Sequence, residues 1–113
     1  MNIEELRDYC LSLPGVEETF PFGPDTLVYK VNSKIFLLSG LDAVNFGFNV
    51  KCDPDLALEL REQYACVKPG YHMNKKHWNT ITPDHTVADK QLREWINHSY
   101  QLVANPSKKK KKN

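Results

Sequence analysis

Between Lys68 and His77 the chain gathers three lysines and two histidines with no acid among them, KPGYHMNKKH, and then enters Trp78 and the strand-like Asn79-Thr80-Ile81-Thr82. Lys68, Lys75 and Lys76 can neutralise phosphates, His72 and His77 add charge when protonated, and Asn74 can donate a positioning hydrogen bond. Trp78 at the junction stacks on a base if it faces solvent and anchors the loop if it faces the core; burial is the expectation for a tryptophan inside a strand. A second cluster, Lys30, Asn32, Ser33 and Lys34, surrounds a two-residue turn and has the same phosphate-contacting character. Both clusters also have a plain reading, as solvated turns whose lysines keep strand edges from pairing with another chain.

Other chemistry finds less support. His72 and His77 lie five residues apart on an irregular loop, with His85 and His98 elsewhere, which is no zinc-ligand spacing. The acids Glu4, Glu5, Asp8, Glu17 and Glu18 are interrupted by Arg7, so an acidic ridge that could hold iron is broken. Ser99 and Cys66 have no base partner at a recognisable spacing, and neither GxSxG nor a phosphate-cradling glycine loop occurs. The expectation is a non-enzymatic protein that needs no cofactor.

The elements that must position these residues follow from periodicity. Asn2 to Leu13 is predicted as a helix, with Asn2 and Glu5 forming a capping box and Ile3, Leu6, Cys10 and Leu13 a buried stripe that Pro14-Gly15 ends. The connector after it, with two prolines and a glycine, is expected to tuck Phe20 and Phe22 down as plugs. TLVYKV and KIFLL flank Asn32-Ser33 as a hairpin, asparagine tolerating the positive φ of such a turn. A third strand is expected over Val44 to Val50, with Val44, Phe46, Phe48 and Val50 on one face. Asp53-Pro54 opens a second helix that buries Leu56, Ala57, Leu60 and Tyr64. The basic loop, a fourth strand near His77 to Thr82, and a last helix from about Thr86 to Val103 complete the chain. The order α-β-β-β-α-β-α predicts an α+β fold: an antiparallel sheet of about four strands with helices on one face.

Composition bounds the partners. A chain of 113 residues with 41% apolar and 26% charged residues suits one globular domain, expected over residues 1–104, followed by a disordered lysine-rich tail over 105–113. Cys10, Cys52 and Cys66 are odd in number, scattered and without CxxC, as for reduced cytoplasmic thiols. Apolar runs such as Ile35–Leu38 are too short to cross a bilayer, and Glu4, Glu5 and Asp8 oppose a signal peptide; a cytoplasmic monomer is expected. The net charge of +1 is uneven. Lys108–Lys112 supply five of the fifteen cations, leaving ten against fourteen acids, about −4, for the rest. Polyanion binding would therefore come from a local patch or from the tail, which attracts any polyanion without selecting one.

Taken together, LPGVEETFPFG, LVYKVNSKIF, NKKHWNTI and INHSYQLV resemble the MmcQ/YjbR family over about residues 1–104, the His77-Trp78 and Ser99-Tyr100 pairs being the most specific pieces. The resemblance implies a frataxin (CyaY)-like α+β fold. It also implies DNA binding by two hairpin wings: Lys30, Asn32 and Lys34 on one, Lys68, His72, Asn74, Lys75, Lys76, His77 and Trp78 on the other. Such binding would be weak and salt-sensitive. The alternative is a protein-interaction or adaptor module using the polar sheet face or the acidic first helix; frataxin-like metal binding comes third.

Overall fold

Three helices cover one face of a six-stranded antiparallel sheet in the computed structural model, which describes residues 1–41 and 44–106. The first helix, α1 (Ile3–Ser12), is set by the expected capping box: Glu5 N donates to Asn2 Oδ1 at 2.8 Å and Asn2 N to Glu5 Oε1 at 3.0 Å. Leu6 and Cys10 are its buried residues. Strands β2 (Thr26–Val31) and β3 (Lys34–Gly40) form the hairpin, and both turn residues adopt positive φ, Asn32 at 53° and Ser33 at 65°. Helix α2 (Pro54–Gln63) begins where Leu56 N donates to the Asp53 carboxylate, with proline at its start.

Two strands lie outside the four expected. β1 (Glu17–Thr19) comes from the proline-rich connector and pairs with β2; β5 (Val67–Pro69) comes from the start of the basic loop and pairs with β6 (Trp78–Ile81). Each is three residues long, too short for alternation to register. With β4 (Phe48–Lys51), the strand order is β1-β2-β3-β4-β6-β5.

Three further expectations are corrected. β4 starts at Phe48 rather than Val44; Val44 is 99% exposed, and Ser39 Oγ instead holds the Gly47 carbonyl at 2.7 Å in the approach to the strand. Phe20 and Phe22 are exposed, because β1 occupies the sheet edge and carries the chain past the core before they occur. The last helix, α3 (Asp89–Ala104), starts three residues after Thr86, whose hydroxyl and N–H both donate to Asp84 Oδ1 in a local turn. Asp89 accepts instead from the Met1 ammonium at 2.9 Å, joining the two ends of the helical layer. The lysine run of the predicted tail lies outside the described residues.

The register separates the two faces of the sheet. The row Glu18–Tyr29–Leu37–Val50–Asn79–Pro69 looks toward the helices: Tyr29, Leu37 and Val50 belong to the core with Leu6, Cys10, Leu92, Ile96 and Tyr100, and Asn79 hydrogen-bonds α2. The next row, Thr19–Val28–Leu38–Asn49–Thr80–Lys68, lies on the helix-free face. Ser99 ties α3 to the middle of this arrangement. Fully buried, its Oγ donates to the Phe36 carbonyl at 2.6 Å and accepts from Lys51 N at 2.9 Å, joining β3 and β4. Its neighbour Tyr100 reaches back to the Pro14 carbonyl at 2.5 Å and sets its ring edge-on to Phe36.

Candidate nucleic-acid interface

Strand pairing brings the two basic clusters to one end of the sheet. Val31 pairs with Lys34 at the β2–β3 turn, Leu37 of β3 with Val50, and Lys51 at the end of β4 with Trp78 at the start of β6. The β2–β3 and β5–β6 turns therefore project from the same edge, with the end of β4 between them. Strands spaced about 4.8 Å apart put the axes of the two hairpins roughly 14 Å from one another.

The second tip is built from its own backbone. Gly70 N donates to the Trp78 carbonyl at 2.9 Å, Tyr71 N to Thr80 Oγ1 at 2.8 Å, Met73 N to the Gly70 carbonyl at 3.2 Å and His77 N to the Asn74 carbonyl at 3.2 Å. Asn74 Oδ1 accepts from Lys76 N at 2.9 Å, so the side-chain oxygen is used within the loop. Gly70 is required here: a Cβ would stand 2.7 Å from Trp78 Cβ and 2.9 Å from the Trp78 carbonyl oxygen. From α2, Arg61 braces the loop from beneath, donating to Asn79 Oδ1 at 2.7 Å and to the carbonyls of Lys75 and Trp78.

Several candidate residues sit differently from the expectation. Trp78 is half-buried and faces away from the helices, opposite Lys51; it is not part of the main core, because alternation from the helix-facing Asn79 and Ile81 turns it outward. His77 belongs to the loop base, its Nδ1 shielded from solvent and its carbonyl accepting from Cys52 N at 2.7 Å, so the ring is no rim contact. Asn32 turns one amide hydrogen toward the Ala104 carbonyl at 3.4 Å, which seats the end of α3 beside the first tip. His72 is exposed with φ of 59°. Lys34, Lys68, Lys75 and Lys76 are exposed and Lys30 half-buried; Lys75 Nζ also donates to the Gly70 carbonyl at 3.3 Å.

Sequence reasoning missed three contributors. Lys51 continues the helix-free face of β4, as its alternation with Val50 predicts, yet it lies outside the two basic clusters of the sequence. Tyr71, 69% exposed, lies against the His72 ring with centroids 4.0 Å apart. Arg61 gave no signal, because its role depends on α2 packing beneath a loop distant in sequence.

Charge is segregated by layer. Strands β2 to β6 carry Lys30, Lys34, Lys51 and Lys68 and no acid, and the three helices carry eight acids against four basic residues; the edge strand β1 is the exception in the sheet, with Glu18 and with exposed Glu17 cross-strand from Lys30. None of the tip or face lysines forms an ion pair among the described residues; the pairs there are Met1 with Glu5 and Asp89, and Arg7 with Glu18. Glu18, on the edge strand, points to the helices, and the hydrogen bond from Arg7, helped by one from Tyr29, holds its carboxyl below the usual range. Asp55 lines with Arg61, Lys75 and Lys76 a shallow cleft of about 220 Å³. No group of three or more His, Cys, Asp or Glu side chains able to hold a metal occurs among the described residues.

Known proteins share both sequence and fold. The YjbR family profile matches residues 11–102. YbdF of Escherichia coli O157:H7 is 45% identical over 101 residues, covering 88% of this chain and 82% of its own, and YjbR of Escherichia coli K12 is 33% identical over 113 residues, covering 98% and 96%. Neither name states an activity. The crystal structure of the Deinococcus radiodurans protein DR2400, described by its DUF419 domain, superposes with a TM-score of 0.86 at 39% identity over 92% of this chain and 79% of that one. A Pseudomonas syringae protein superposes with 0.78 at 26% identity over 91% and 99%. Matched across nearly all its length in sequence and in fold, the chain belongs to the YjbR family.

Proposed function

We propose that this protein is a non-catalytic DNA-binding module that grips phosphates with its two hairpin tips and the lysines of the helix-free sheet face. The observation that carries the reading is the uneven charge: cations on strands β2 to β6 and the tips, acids on the helices and on the edge strand β1, with no ion pair neutralising those cations among the described residues. A molecule that is acidic elsewhere would thus present one face to a polyanion and turn the rest away. The spacing of roughly 14 Å between hairpin axes suits phosphate lines flanking a groove about 12 Å wide. Lys34 serves the first tip, Lys75 and Lys76 the second, and Lys30, Lys51 and Lys68 the face between them.

Three or four phosphate contacts imply a slope of log affinity against log salt of roughly −3 to −4 on duplex DNA. The test is a titration of labelled duplex across a salt series with the full chain, in which Lys108–Lys112 are intact or each replaced by glutamine. Affinity that survives the tail replacement and drops about ten-fold or more in Lys75→Glu/Lys76→Glu supports the reading. Affinity that disappears with the tail lysines removes it.

A protein partner is the second reading. It draws on a groove of about 310 Å³ between α1 and the β1 edge, where exposed Phe20 and Leu41 stand beside Ile3 and Leu27. Phe20→Ser/Leu41→Ser should leave DNA affinity unchanged and weaken association with such a partner.

A further inference from the structure

The second hairpin carries aromatic surface as well as charge. Tyr71 exposes 69% of itself at the tip, and its ring rests on His72 at 4.0 Å with the planes 47° apart. The residue is held from behind, since its N–H, not its side chain, is bonded to Thr80 Oγ1. Thr80 in turn donates to Asn49 Oδ1, so the base of the tip is fixed on β4 and β6. Trp78 lies one register step away, half-buried between Gly70 and Lys51. Lys68 pairs with Thr80 on the same face, Lys75 Nζ bonds the Gly70 carbonyl at the root of the loop, and Lys76 follows Lys75 at the loop's α2 side.

An exposed ring is costly to leave in water and does nothing for the core. Phosphate contact does not need it either, because lysines alone can follow a duplex backbone. What a rigidly mounted aromatic among cations can add is a stacking surface for a base, worth about 1–3 kcal/mol per base. Bases inside a duplex have both faces covered by their neighbours. Only an unpaired nucleotide can offer a face to Tyr71 while its flanking phosphates reach Lys68 and Lys75 or Lys76.

We propose that the β5–β6 tip is a base-stacking site, Tyr71 supported by His72, that makes unpaired DNA the preferred ligand over duplex. The inference rests on the DNA-binding reading above and adds to it the form of the DNA.

The experiment compares an oligothymidylate of about 16 nucleotides with a mixed-sequence duplex of the same length, by anisotropy at low salt. It uses the full chain with Lys108–Lys112 replaced by glutamine, so that the tail adds no background. The expected result is tighter binding of the single strand and about five-fold or greater loss in Tyr71→Ala, with Tyr71→Phe retaining affinity and duplex binding unmoved by either. The exposure of the side chain keeps these variants folded, which circular dichroism verifies. Duplex bound as tightly as single strand, or Tyr71→Ala without effect on the single strand, overturns the stacking site and leaves phosphate binding standing. Failure of both ligands to bind overturns the stacking site and the DNA-binding reading together.

Discussion

Ser99 and Gly70 show how single atoms hold the candidate interface together. The Ser99 hydroxyl satisfies the Phe36 carbonyl and the Lys51 N–H where no water reaches, and Lys51 is one of the cations of the proposed binding face. Ser99→Ala removes both hydrogen bonds and leaves two backbone groups unpaired, at an expected cost of about 1–3 kcal/mol in urea denaturation. Ser99→Cys, of similar shape but with a weak donor, should fall between the two. Gly70 sits where the loop backbone touches Trp78. Its replacement by alanine forces that contact open, and a loss of about 1–3 kcal/mol with an altered Trp78 emission is expected.

At the level of the element, the second hairpin depends on a brace outside itself. β5 and β6 are short, and a two-stranded ribbon of this length has little stability of its own. Arg61 supplies the missing restraint through Asn79 and two loop carbonyls. Arg61→Leu keeps much of the aliphatic packing but leaves those acceptors without their charged donor, an expected loss of about 1.5–3 kcal/mol. Hydrogen exchange should quicken selectively at residues 67–78 before the central strands respond. The first hairpin needs no such brace, since β1 and β4 flank it and the amide of Asn32 meets the end of α3.

For the whole molecule, charge layering links stability to pH as well as function to salt. Glu18 is held below the usual carboxylate range by the Arg7 hydrogen bond and Asp89 by the N-terminal ammonium, so both protonate at lower pH folded than unfolded. Their stabilisation is complete above the unfolded values, near pH 4, and is withdrawn as pH falls through the folded ones. Urea midpoints measured from pH 7 downward should be level until about pH 4 and then decline. Glu18→Gln should lower the plateau and flatten the decline, whereas a Glu59→Gln control on α2 should do neither. DNA affinity, on the proposed reading, should respond to salt throughout, because the lysines assigned to phosphate contact take no part in these pairs.

Local chemistry was enough for the parts of the chain whose cause lies within a few residues. The Asn2–Glu5 capping box, the Asn32-Ser33 turn, the Asp53-Pro54 helix start and the core stripe of α3 were all legible, as was the α+β class. The family resemblance carried by His77-Trp78 and Ser99-Tyr100 was legible too. Tertiary structure decided the rest. β1 and β5 exist because a neighbouring strand offers hydrogen bonds to three-residue segments that have no periodicity to read. Trp78 turns outward and Phe20 remains exposed because strand pairing, not hydrophobicity, assigns each residue a face or an edge. Lys30 and Lys51 share a surface with Lys68 only through registers that join segments far apart in sequence, and Arg61 supports a loop it could not be known to meet. The physical reason is the same throughout: propensity and capping act over one turn of chain, while a face, an edge and a field arise only once strands have paired.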